Sequence, residues 1–240
     1  GKGHDFFKVF FNPQGDYELP SLALQSELAL ARVADRHTLV EQLDRLNRII
    51  DTRGEADAID DFQRMAFDMI SNTKVRDAFD LTQEPSGLRE RYGWQPWCSN
   101  GRDNTRYHWG QAALLARRLV EAGVTFVTLD CDIRGGAFDA HQDQPRYMRE
   151  TAEPMDAMIS ALVEDLHDRG LNEKVLVLIW GEFGRTPKIN NDAGRDHWPS
   201  VMSVAMAGGG LRTGQVIGAS NARGEVPMNR PLKPEDVLAT

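Results

Sequence analysis

Val175-Leu176-Val177-Leu178-Ile179-Trp180, followed at once by Gly181-Glu182-Phe183-Gly184-Arg185-Thr186-Pro187-Lys188, is the stretch on which the fold reading turns. Six apolar residues in a row, with a glycine directly behind them, match a strand buried on both faces of a parallel sheet. Upstream, residues 145–168 carry a helical pattern closed by Gly170, with Pro154 predicted to break or kink it. Further upstream, residues 110–122 place Leu114, Leu115, Leu119 and Val120 on one helical face, and Gly123 stops that helix. Residues 124–129 (Val-Thr-Phe-Val-Thr-Leu) read as a strand. Downstream, residues 203–207 read as another strand, ending in Gly208-Gly209-Gly210. Those glycines lack the Lys-Ser/Thr and the GxGxxG spacing of a phosphate loop, so they predict a tight connection. The helix–strand alternation predicts an α/β fold, a mostly parallel sheet with helices on both faces. Ligand groups then lie beyond the carboxyl ends of the strands, at residues 130–141, 181–191 and 208–214.

The α/β core is assigned to residues 106–240, and residues 1–105 to a helical region and long loop of the same domain. Phe6, Phe7, Phe10 and Phe11 open the chain beside a Pro13-Gln14-Gly15-Asp16 turn signal. Residues 22–52 and 55–79 then show apolar positions three and four apart, among them Met65 and Met69 as core filler. Residues 84–105, rich in Gly, Pro, Trp and Asn, read as a loop. At the other end, Pro234-Glu235-Asp236-Val237-Leu238-Ala239-Thr240 reads as the first turn of a helix. With no methionine at position 1, the chain reads as a piece of a longer one.

Composition narrows the functional classes. A net charge of -8 argues against a general nucleic-acid binder, which needs a basic face. No apolar run has the length of a membrane span. The two cysteines, Cys98 and Cys131, make neither a disulfide framework nor a thiolate metal cluster and read as buried or incidental. No Gly-x-Ser-x-Gly elbow is present, which leaves a serine hydrolase without support.

Three loops carry the chemistry. The first holds Asp130, Asp132, Asp139 and His141 around Gly135-Gly136. Asp and His are donors that zinc, manganese or iron accept, and Asp139-x-His141 can bring both to one ion. A solvated loop with a turn-stabilising aspartate is the alternative. The second holds Glu182, Arg185 and Lys188; the cations suit an anionic substrate, arginine because its planar fork donates two hydrogen bonds. The alternative there is a Glu182–Arg185 pair. The third is Asn190-Asn191-Asp192-Ala193-Gly194-Arg195-Asp196-His197-Trp198-Pro199. A lone histidine is usually structural; three donor-bearing loops at one sheet edge shift that balance.

The run from Trp180 to Asn190, with Gly194-Arg195-Asp196-His197-Trp198-Pro199, resembles the signature of the domain-of-unknown-function-1501 family, grouped with the alkaline-phosphatase/sulfatase-like superfamily. Ala116 to Val124, Leu162 to Leu171 and Gly214 to Gly224 extend the resemblance over nearly the whole chain. It implies metal ligands at strand ends: Asp139 and His141 at a Trp-Asp-Thr-His position, Glu182 at a strand-end acid, His197 at the last histidine. Arg185 or Arg195 would stabilise charge on the transferred group, with Asp130, Asp132, Asp196 and Lys188 as secondary candidates. The motif departs from the family at Phe138 and Ala140. Nothing in residues 1–20 resembles the superfamily's opening aspartate and nucleophile, which implies an incomplete site. The expected function is metal-dependent hydrolysis of phosphate or sulfate esters, using a divalent ion such as zinc, manganese or calcium. The partner is an anionic small-molecule or carbohydrate ester, and the resemblance implies an exported or periplasmic location. The alternative is a non-catalytic binding protein on the same fold.

Overall fold

The computed structural model describes residues 73–93, 97–98, 106–107, 109–131 and 138–239. The phenylalanine-rich opening, residues 22–52, the first part of residues 55–79 and Asp132 lie outside the described residues. The first described helix, α1, spans Thr73–Ala78. A single 3-10 turn follows at Leu81–Gln83, where Asp80 accepts from the Thr82 backbone N–H at 3.0 Å. Helix α2 spans Ser86–Arg91, inside the stretch expected to be a loop. Its one turn is held by burial of Arg89 and of Tyr92 just beyond it, which loop-type composition does not reveal.

Helix α3 runs Trp109–Glu121 and α4 runs Gln144–Asp168, close to the expected limits. Of the four residues expected inward, Leu114 and Leu115 are buried and Leu119 and Val120 half-buried. Helix α4 passes through Pro154 without a break. Proline removes one donor, but the rest of the ladder and the buried face of Thr151, Met158, Ala161 and Leu166 carry the helix past it.

The expected mostly parallel sheet with helices on both faces is not what forms. Among the described residues every strand pair is antiparallel and two-stranded. Strands β1 (Trp97–Cys98) and β2 (Arg106–Tyr107) pair with each other. Strand β3 (Leu176–Ile179) pairs with β6 (Ala205–Gly208), Leu176 opposite Gly208 and Ile179 opposite Ala205. Between them lie β4 (Gly184–Arg185) and β5 (His197–Trp198), and no helix. Parallel neighbours need a crossover, usually a helix; a return through loops brings the second strand back reversed. Nor is the apolar run buried on both faces. Leu176 and Leu178 are 42% and 39% exposed while Val177 and Ile179 are half-buried, the alternation of a sheet covered on one side. Residues 124–129 form no strand, and Phe126 there is 81% exposed.

Gly208, Gly209 and Gly210 all have positive φ, and the Gly209 N–H donates to Val175 O at 2.9 Å, so this is the tight connection expected. Beyond it, β7 (Ala219–Ser220) pairs with β8 (Pro227–Asn229) and α5 spans Pro234–Leu238, as its proline and acids predict.

The chain divides into two compact units, residues 1–84 with 118–127, and residues 85–117 with 128–240. In the first, Arg118 donates to the carbonyls of Ala78 and Asp77, both at 2.7 Å, and pairs with Glu84. In the second, Asp165 of α4 is the buried anchor. Its carboxylate takes Arg117 at 2.8 Å, Arg169 at 2.9 Å and the Tyr92 hydroxyl at 2.9 Å. The Arg117 side chain is 1% exposed and that of Asp165 is 6% exposed, so this charge pair sits out of water.

Candidate metal centre

All the converging groups lie in the second unit. Strands β4 and β5 set Arg185 directly opposite His197 and Gly184 opposite Trp198. Residues directly opposite in an antiparallel pair share a face, so Arg185 and His197 project the same way. Both reach Asp139 Oδ1: His197 Nε2 stands 2.9 Å from it, and the Arg185 guanidinium donates to the same oxygen. Gly184 is required at this crossing, since a Cβ there would stand 1.9 Å from Val201 O.

His141 arrives from the loop ahead of α4. A tight turn, in which its N–H donates to Asp139 O at 3.0 Å, brings the two side chains to one place. The loop is stitched to residues 192–195 by backbone bonds. Asp143 donates to Asp192 O at 2.9 Å, Gln144 to Ala193 O at 2.9 Å, and Arg195 to Ala140 O at 3.0 Å. Gly194 lets the two segments touch: a Cβ on it would lie 1.9 Å from both the carbonyl carbon and oxygen of His141.

Three donor atoms therefore close on one another. His141 Nε2 is 3.1 Å from Asp139 Oδ1 and 3.1 Å from His197 Nε2, and the third side is the 2.9 Å already given. Two donors each about 2.1 Å from one ion stand about 3.0 Å apart at the right angles of an octahedral site and about 3.4 Å apart at the tetrahedral angle of zinc. The triangle is close to the first spacing and a little tighter than the second, and two imidazoles with one carboxylate suit zinc, manganese or iron. Calcium, which takes oxygen ligands, fits this set worst.

Around the triangle, Phe183 packs its ring 4.4 Å from the His197 ring, and Arg185 lies over Phe183 at 5.5 Å. His141 Nδ1 faces Asp196 Oδ1 at 2.9 Å. Burial pushes the Asp139 carboxyl up, but hydrogen bonds from His197 and Arg185 outweigh it and hold the group below the ordinary carboxylate range. Asp196 is held below it by its bonds from His141 and Asn190.

Of the residues singled out from sequence, the structure brings together Asp139, His141, His197, Arg185 and Asp196. Glu182 is exposed on the bend after β3 and does not join the donor group. The alternative Glu182–Arg185 pair does not form; Arg185 pairs with Asp139. Arg195 donates to the carbonyls of Thr186 and Pro187, at 2.6 and 2.8 Å, and so clamps the loop. Lys188 is exposed, its carbonyl accepting from the Thr186 hydroxyl at 2.8 Å. Asp130 is exposed beside Cys131, whose thiol is pushed up to about 11 by burial and by that carboxylate. Sequence reading gave no role to Asn190. Its side chain accepts from the N–H groups of Asp192 and Gly194 at 3.0 and 2.8 Å and donates to His141 O at 2.9 Å. The signal was present: asparagine followed by Asn-Asp-Ala-Gly is turn chemistry.

Two imidazoles and a carboxylate, with an arginine alongside, make a candidate metal-binding group. The family described as "Protein of unknown function (DUF1501)" matches residues 3–240, and the chain belongs to it. No curated protein and no solved structure matches the chain. Among the described residues no helix is long and apolar enough to cross a membrane.

Proposed function

We propose that this chain is a metal-dependent hydrolase of phosphate or sulfate esters. The supporting observation is the closure of Asp139 Oδ1, His141 Nε2 and His197 Nε2 to within 3.1 Å of one another, with the Arg185 guanidinium beside them. Asp139, His141 and His197 would hold a divalent ion, with zinc, manganese and iron preferred over calcium by the donor set. Such an ion polarises an ester oxygen and lowers the pKa of a bound water or hydroxyl nucleophile. Arg185, already at the rim of the donor group, serves to bind the oxyanion of an anionic small-molecule or carbohydrate ester. Kinship to the alkaline-phosphatase/sulfatase-like superfamily rests on the likeness of the loop motifs, and an exported location on family analogy alone; the parallel sheet is no part of this reading.

The test is metal content after dialysis, measured by elemental mass spectrometry beside the H141A/H197A double variant. Stoichiometric zinc, manganese or iron, lost in the variant, is expected, together with turnover of an aryl phosphate or sulfate. Metal retained by the double variant would remove these histidines from the site. Bound metal without turnover on a panel of such esters would favour the non-catalytic binding protein.

A further inference from the structure

His141 presents its two ring nitrogens to different surroundings. Nδ1 meets Asp196 Oδ1 at 2.9 Å, and Nε2 faces His197 Nε2 and Asp139 Oδ1, both at 3.1 Å. A neutral imidazole carries one proton, and the nitrogen without it supplies the lone pair. An ionised carboxylate is an acceptor only, so the contact with Asp196 requires the proton on Nδ1. On the opposite edge Asp139 Oδ1 already accepts from Arg185 and from His197, and it stands farther from His141 Nε2, at 3.1 Å, than Asp196 Oδ1 does from Nδ1. Two Nε2 atoms 3.1 Å apart form a hydrogen bond only when one is protonated and the other is not. The single His197 Nε2–H is shared between Asp139 Oδ1 at 2.9 Å and His141 Nε2 at 3.1 Å, and His141 Nε2 accepts in that arrangement.

Asp196 is in turn held in place. Asn190 Nδ2 donates to Asp196 Oδ1 at 3.2 Å and to the His141 carbonyl at 2.9 Å. The Asp196 backbone N–H donates to the Thr186 hydroxyl at 3.1 Å, and its carbonyl accepts from the Thr186 N–H at 2.9 Å. The carboxylate has thus been fixed against the back of one imidazole rather than added to the donor group, which among the described residues consists of Asp139, His141 and His197.

From this geometry we infer that Asp196 is a positioning residue: it holds His141 as the Nδ1–H tautomer, with the Nε2 lone pair turned to Asp139 and His197. The consequence for metal binding rests on the function proposed above; the tautomer does not. A carboxylate behind a ligating histidine fixes its ring and raises its basicity, and losing one typically weakens metal binding about 10–100-fold.

Two measurements on the whole chain test the inference. The first is long-range nitrogen–proton correlation spectroscopy of the imidazoles near pH 8.5, well above the ordinary histidine range. His141, assigned by its loss in H141A, should report the Nδ1–H form in the wild type and a mixture in D196A. D196N retains an acceptor oxygen and should keep the Nδ1–H form. The second is zinc titration by calorimetry, with D196A expected about 10–100-fold weaker than the wild type and D196N between them. A wild-type His141 in the Nε2–H form, or D196A binding zinc as tightly as the wild type, would overturn the assignment. A wild type that binds no zinc but shows the Nδ1–H form would sink the metal reading and leave Asp196 in its role. D196N and the wild-type spectrum keep the test decisive if D196A does not fold.

Discussion

Replacing Asp165 by alanine is expected to destabilise the second unit by about 3–5 kcal/mol, because it removes the carboxylate that pairs with the buried Arg117. The Arg117 guanidinium is 1% exposed and meets Asp165 at 2.8 Å. Tyr92 loses the acceptor of its hydroxyl in the same change. Thermal unfolding should fall by on the order of 10 °C. A shift under about 2 °C would mean that water or another acceptor takes over the arginine.

Acid should act on the same group. Burial pushes the Asp165 carboxyl up, but hydrogen bonds from Arg169 and Tyr92 and the charge of Arg117 outweigh it, so its pKa lies below the ordinary value. A depressed carboxylate contributes fully above its unfolded value of about 3.9, and the contribution is lost as pH falls through the folded value. The wild type should therefore lose stability below about pH 4, and this part of the acid limb should be missing in D165A. Equal acid limbs would remove Asp165 as the cause.

The second large effect is expected at Gly194. Alanine there would drive a Cβ to 1.9 Å from the His141 carbonyl carbon and oxygen and 2.3 Å from Gln142 N. These are backbone atoms, and they cannot turn aside as a side-chain tip can. The loops must part, and overpacking of this kind costs about 1–3 kcal/mol or more. Separation also moves His141 away from His197, so metal binding should fall at least tenfold while α3 and α4 keep their helical circular dichroism. G194A that binds metal as the wild type does would show that the loops tolerate a wider gap. Gly194 is thus a condition for the donor triangle although it supplies no donor.

The helices were legible because their signals are local: α3 and α4 follow from apolar spacing and a stop glycine within one window. The sheet was not, because strand direction depends on what joins the strands. Residues 175–180 alone do not reveal that the chain returns through β4 and β5. Run length also concealed exposure, since Leu176 and Leu178 are as apolar as their covered neighbours. At the site, the residue types announced themselves: Asp139, His141 and His197 are donors whatever their surroundings. What the sequence does not carry is pairing across some fifty residues, such as His141 with Asp196. For the same reason Glu182 suggests itself by its place after a strand, and Arg195 by its charge, whereas Glu182 is exposed on a bend and Arg195 is held by the carbonyls of Thr186 and Pro187.

The ladder that sets Arg185 opposite His197 is two residue pairs long, and only His197 of its four residues is fully exposed. Segments with so few paired amides open at free energies far below that of global unfolding. A ligand that touches both Asp139 and His197 recognises only the closed form, and closure is stabilised by RT ln(1 + [L]/Kd). Local order at this end of the chain then becomes a function of free ligand concentration: frayed when the ligand is scarce, and protected from hydrogen exchange when it is abundant.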